Sequence, residues 1–172
     1  MANLIEYKKF SFINIDDHFF DSLKEDYPEF EEWFGRKSVQ GEEAIVQYDE
    51  EGHLQGFLYT KDESQEVDNN ITPVMKPKRR LKVGTFKIDA HNTRLGEKFI
   101  KKIMDRAIYE GFEEAYVTIF PKHNRLIDLL KRYGFKDYGT KHEELVLLKD
   151  FSVCMRHALV DAEFIYERTF QG

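Results

Sequence analysis

The sequence predicts an α/β domain with the order β-α-α-β-β-β-α-β-α-β-β, and three stretches carry that expectation. From Leu81 to Lys98, LKVGTFKIDAHNTRLGEK, the strand formers Val83, Thr85, Phe86 and Ile88 give way to Leu95, Phe99, Ile103 and Ala107 at helical spacing. From Ala44 to Thr60, two strand-like runs flank DEEGH, whose polar residues and Gly52 suit a hairpin turn. From Glu114 to Gly139, a β-rich run, a proline, an amphipathic helix and a Gly-Phe pair follow without a gap.

Before the hairpin, Phe10, Phe12, Ile13 and Ile15 predict a first strand over residues 8–15, and Asp16 or Asp17 offers an N-cap for a short helix with Phe19, Phe20 and Leu23 on its core face. Asp26 and Pro28 restart the helix, and Phe30, Trp33 and Phe34 form its stripe as far as Gly35. The acidic residues between them, Glu25, Asp26, Glu29, Glu31 and Glu32, read as a solvated face that would also attract a cation. Residues 61–79 contain two prolines and no period, which predicts a long surface loop. The run KPKRR at 76–80 would keep that edge soluble or meet a phosphate.

Gly111 stops the long helix, and residues 115–120 form the fifth strand, ended by Pro121. Asn124 to Tyr133 follows as a helix closed by Gly134, and residues 135–139 and 145–148 make the last strands, joined through KHEE. Residues 151–172 carry Phe151, Val153, Met155, Leu159, Phe164 and Ile165, more apolar weight than a free tail should have. This extension to a domain of residues 1–150 is expected to pack on the domain, to pair two copies as a homodimer, or to lead into a further domain.

Composition narrows the function. A chain of 172 residues with 41% hydrophobic and 15% aromatic content fills one sizeable core. A net charge of −6 disfavours nucleic acid as partner, because such a footprint is basic. Cys154 is the sole cysteine, so an internal disulfide and a multi-cysteine metal site are excluded, and no His, Asp or Glu spacing suggests metal. No apolar run reaches membrane-span length, and the expected location is the cytoplasm.

The strand-to-helix handover inside DAHNTR aims the first free N–H groups of a helix at one point, where the positive end of the helix dipole favours an anion such as a pyrophosphate. Asn92 and Thr93 can cap that helix, and Gly96 lets backbone or ligand approach its first turn. An ordinary β-loop-α corner with a packing glycine has the same composition.

With this element order, the segment EAYVTIFPKHNRLIDLLKRYGFKDYG and Gly56 in the third strand, the chain over residues 8–149 resembles the GNAT superfamily of acyl-CoA-dependent N-acetyltransferases. The resemblance implies a mixed, mostly antiparallel twisted sheet of about seven strands flanked by helices, splayed between strands four and five. It implies acetyl-CoA as acyl donor and a small-molecule or protein amine as acceptor. Pantetheine would lie beside Phe86, Lys87 and Ile88, the pyrophosphate at Asn92, Thr93, Arg94, Leu95, Gly96, Glu97 and Lys98, and further cofactor contacts at His123 and Asn124.

The sequence also departs from that family. Of the phosphate-loop pattern (Arg/Gln)-x-x-Gly-x-(Gly/Ala), laid on His91 to Gly96, only Gly96 matches, and Arg94 replaces the middle glycine. That arginine either crowds the pyrophosphate or adds a charge-assisted contact to it. The tyrosine that protonates the leaving thiolate in the family falls on Leu130, leaving Tyr133, one turn further on, as substitute acid. For a base, the last turn offers His142, Glu143 and Glu144, with Glu143 the residue chosen. A degenerate module that binds CoA or a protein partner without catalysis is the alternative. A toxin-like transferase acting on aminoacylated RNA would favour a basic face that this chain lacks.

Overall fold

The structure, a computed structural model, describes residues 5–89 and 93–152. In chain order the elements are β1 (Ile5–Lys9), α1 (Asp21–Asp26), α2 (Phe30–Val39), β2 (Glu43–Tyr48), β3 (Leu54–Asp62), β4 (Ile71–Thr72), β5 (Arg80–Ile88), α3 (Thr93–Tyr109), β6 (Glu114–Ile119), α4 (Asn124–Arg132), β7 (Lys136–Lys141) and β8 (Glu144–Asp150). The fold is mixed α/β on a mostly antiparallel sheet, as expected. Among the described residues the strands number eight and are ordered β1-β2-β3-β5-β6-β8-β7-β4. The strand that the sequence places fourth is therefore β5, because β4 forms within the supposed loop. The chain divides into two compact units, Met1–Thr60 with Gly84–Phe99 and Lys61–Val83 with Ile100–Gly172.

The first unit is built on aromatic rings. The Phe10 ring centroid lies 5.6 Å from Trp33, 4.9 Å from Phe34, 5.6 Å from Phe57 and 5.4 Å from Tyr59, mostly edge to face, as ring quadrupoles prefer. This cluster corrects the predicted first strand. β1 ends at Lys9 because residues 10–12 coil into a 3-10 turn that buries Phe10, and the apolar alternation over 8–15 reflects that turn. Asp17 is the cap expected, its carboxylate accepting the Phe19 N–H at 2.9 Å and the Leu54 N–H at 3.2 Å. α2 does not stop at Gly35 but runs to Val39, and the left-handed residue that follows it is Gly41, at φ 71°. The β2–β3 hairpin forms as read, with the Asp49 carboxylate accepting the Glu51 and His53 N–H groups at 2.9 Å each. At Gly56 an added Cβ would lie 2.6 Å from the Phe99 ring, so this glycine lets α3 settle on the sheet.

In the second unit, β5 pairs in parallel with β6 from Arg80↔Glu114 to Val83↔Val117, and β6, β8 and β7 continue antiparallel. Residues 61–79 are no plain surface loop. β4 pairs with the β7 edge through Ile71↔Lys141 and Thr72↔Thr140, and Glu63, Ile71 and Met75 are buried. The Tyr116 hydroxyl donates to Glu63, whose other oxygen lies 3.6 Å from the Lys82 ammonium. Burial, then the bond to Glu63, pushes the Tyr116 pKa up. Arg79 and Arg80 do not simply solubilise an edge either. The Arg79 guanidinium donates to the Glu110 carbonyl at 2.6 Å and covers the Phe112 ring at 4.8 Å, while Arg80 is buried.

Asp68 fastens this segment to β7 through Lys141 at 2.6 Å. Burial raises the Asp68 pKa, but the bond from Lys141, the Asn70 N–H and the Lys141 charge together outweigh it and hold the carboxyl below its ordinary 3.8. A depressed native pKa gives stability that is present above the unfolded value and lost as pH falls through the native one. Asp68→Asn is therefore expected to lower stability by about 1.5–3 kcal/mol at pH 7. Urea denaturation should show the gap between variant and wild type narrowing as pH falls below 3.8, and a gap independent of pH would remove Asp68 from this role.

Candidate active site

The site predicted on the sequence begins in β5, and there the strand slips by one residue. The Glu63 N–H donates to the Arg80 carbonyl, and the Asp89 N–H donates to the Gln55 carbonyl, both at 2.9 Å. Nine residue steps of β5 therefore span the same stretch as eight of β3, which requires one extra residue in β5. Side-chain faces locate it. An added Cβ on Gly84 would lie 2.7 Å from Tyr59, on the aromatic-cluster face, whereas the Phe86 ring packs 6.1 Å from Phe99 of α3, on the other face. Residues 84 and 86 would share a face in a regular strand, so the bulge lies between them.

A bulge takes a backbone group out of the ladder and leaves an N–H free to hold a carbonyl oxygen. The resemblance already implies carbonyl-holding N–H groups at Phe86 to Ile88, and only the bulge itself is not foreseen, although a signal for it is there. The apolar residues fall at 81 and 83, then at 86 and 88, and the change from odd to even positions marks the slip. Beyond the bulge Lys87 returns to the aromatic-cluster face, where its ammonium donates to the Phe19 carbonyl and stands 4.6 Å above the Phe19 ring. Burial pulls its pKa down, against the charges of Asp89, Asp21, Asp26 and Asp17. Ile88 is half-buried beside it.

α3 begins at Thr93. Asn92 lies outside the described residues, so the predicted cap at that position has no described geometry. In the first turn Arg94 is exposed and Leu95 and Gly96 are buried, and just past it Glu97 is half-buried and Lys98 exposed. Arg94 thus points away from the packed face, while Gly96 sits in it. The N–H groups of this turn have no intrahelical acceptor, and no acidic side chain occupies the turn to compete with an anion.

The remaining candidates belong to the second unit. His123 is the N-cap of α4 and accepts the Ile127 N–H on its carbonyl at 3.0 Å, but its side chain makes no cap, and Asn124 is exposed at the first helical position. Leu130 is fully buried, so the position expected to hold an acid is a core position. Tyr133 is the half-buried C-cap of α4, and its hydroxyl has no hydrogen bond among the described residues. Glu143 is exposed at the β7–β8 turn, next to His142, whose φ of 52° is left-handed. Tyr133 precedes the Lys136↔Leu148 end of this hairpin, and Glu143 caps the Lys141↔Glu144 end. About 16 Å of strand separates those ends, too far for the two side chains to act on one bond. Among the described residues no group of three His, Cys, Asp or Glu could hold a metal, and no helix is long and apolar enough to cross a membrane.

Solved structures share this open, mostly antiparallel sheet with its flanking helices. No protein-family model matches the sequence, and no curated protein matches it. An N-acetyltransferase from Staphylococcus aureus Mu50 superposes with a TM-score of 0.60 at 14% identity, covering 87% of this chain and 99% of that one. A GNAT-family acetyltransferase from Listeria monocytogenes 4b F2365 gives 0.52 at 13% identity, with 85% and 94% covered. PaiA N-acetyltransferase from Thermoplasma acidophilum, solved in complex with coenzyme A, gives 0.54 at 12% identity, with 86% and 99% covered. The fold of this chain is that of the GNAT acetyltransferases.

Proposed function

We propose that the chain is an acyl-CoA-dependent N-acyltransferase that moves an acetyl group from acetyl-CoA to an amine by direct attack. The observation that carries this reading is the bulge between Gly84 and Phe86, placed just before the N-terminus of α3. The free backbone N–H at the bulge would hold the thioester carbonyl and take up the charge that develops on its oxygen. Pantetheine would run along Phe86, Lys87 and Ile88 to a pyrophosphate at the first turn of α3, with Arg94 turned outward as an added phosphate contact. Titration calorimetry with acetyl-CoA tests the cofactor half, and acetyl-CoA consumption with a panel of amines tests the transfer.

Since buried Leu130 supplies no acid, the thiolate must take its proton from Tyr133 or from solvent. A thiol pKa of roughly 8.5 makes the thiolate a fair leaving group without help. Tyr133→Phe is accordingly expected to lower kcat by less than about tenfold, with acetyl-CoA affinity unchanged. A larger loss at unchanged affinity would make Tyr133 the acid on which turnover depends. The core position of Leu130 and the single loop glycine favour a second reading, a CoA-binding module without turnover. Tight acetyl-CoA binding with no consumption across the amine panel would select it.

A further inference from the structure

We propose that Lys87 is an internal acyl acceptor, a lysine acetylated by the acetyl-CoA held at its own strand. The inference rests on the cofactor reading above and goes beyond it, since it concerns the fate of a side chain of this chain and not the external amine. Lys87 is the first residue after Phe86, so it lies in sequence beside the bulged backbone that would hold the thioester carbonyl. Its side chain is half-buried on the aromatic-cluster face, and its ammonium is held by the Phe19 carbonyl and ring with no contact ion pair among the described residues.

Burial already favours the neutral amine at this position, while Asp17, Asp21, Asp26 and Asp89 oppose it from a distance. The carbonyl of Phe19 accepts a hydrogen bond equally from an amine or an amide, so that anchor tolerates the product. In the step itself, the neutral Nζ attacks the thioester carbon, a C–N bond forms and the C–S bond breaks. CoA leaves as thiolate, and the proton shed by nitrogen passes to solvent while the thiolate takes one from solvent. The product is N-acetyl-lysine at position 87 and free CoA. It removes the charge that faces the Phe19 ring and the four aspartates, and so leaves the surroundings of α1 more negative.

The test uses the full chain. Peptide mapping by mass spectrometry follows acetylation with acetyl-CoA, the exposed Lys101 and Lys136 serve as internal references, and calorimetry runs in parallel. Held next to a bound thioester, Lys87 should label at least about tenfold faster than either reference. That excess should disappear with the N-acetylcysteamine thioester, which lacks the nucleotide and pyrophosphate. Equal labelling at all three lysines, with acetyl-CoA shown to bind, would overturn the internal acceptor and leave the cofactor reading standing. No binding and no selective labelling would overturn both.

Discussion

Arg80→Ala is expected to lower stability by about 3–5 kcal/mol, because it strands a buried carboxylate. The Arg80 side chain is 3% exposed and that of Glu114 8%. One Glu114 oxygen accepts from two guanidinium nitrogens at 2.8 and 3.2 Å, and the same guanidinium reaches the Lys76 carbonyl at 2.6 Å. Such a pair in place adds little beyond an apolar pair of equal volume, so the loss comes from leaving Glu114 dehydrated without its cation. At about 2–4 °C per kcal/mol for a chain of this size, the melting temperature should fall by about 10 °C. The double variant Arg80→Met with Glu114→Leu should recover most of that loss. A single variant within about 1 kcal/mol of wild type would show that water reaches this pair.

Arg80 also shows why residues 61–79 were illegible. Sequence reading detects repeated faces, and α3 advertised its face through Leu95, Phe99, Ile103 and Ala107, all of them buried. The 61–79 segment is held by isolated anchors whose partners are remote in sequence, Glu63 by Tyr116 and Asp68 by Lys141, and at its end Arg80, itself paired with Glu114, holds the Lys76 carbonyl. None of these leaves a period, so the stretch read as loop. Gly35 misled in the opposite direction. A glycine within a helix costs about 1 kcal/mol relative to alanine, which reads locally as a stop. Burial of Phe30 and Phe34 in the aromatic cluster outweighs that, and Arg36 pairs with Glu32 at 3.3 Å across the glycine. Of the C-terminal extension, Phe151 is buried with its N–H on the Glu113 carbonyl at 2.8 Å, while residues 153–172 and the expectations placed on them lie outside the described residues.

For the candidate site, the strand and the helix start were legible, but the bulge at their junction was visible only as a slip of one position between Val83 and Phe86. Loop motifs describe residue types, whereas a bulge is a count of residues between two pairing partners. The weak match of His91 to Gly96 to a glycine-rich loop therefore says little about whether the carbonyl-holding backbone is present. Under the proposed function its consequence would fall on the phosphates alone, where Arg94 stands in for a glycine.

That substitution sets the deciding expected effect on binding. Arg94 is exposed in the first turn of α3, so reversing its charge should not disturb the packed face formed by Leu95 and Gly96. If its guanidinium adds a charge-assisted contact to the pyrophosphate, Arg94→Glu removes about 1.5–3 kcal/mol of interaction and sets a like charge against the ligand. Calorimetry should then show acetyl-CoA affinity falling by about a hundredfold or more in a protein that is still folded. Gly96→Leu should abolish binding by filling the approach to the helix N-terminus. Since Gly96 is buried, that variant must be read beside its own stability, which is why Arg94 carries the decision. Arg94→Gly separates the two roles open to this side chain. A loss of affinity assigns it to phosphate binding, and a gain shows that it crowds the loop. Unchanged affinity in both Arg94→Glu and Arg94→Gly would move the pyrophosphate away from the first turn of α3 and remove the anion site from the proposal.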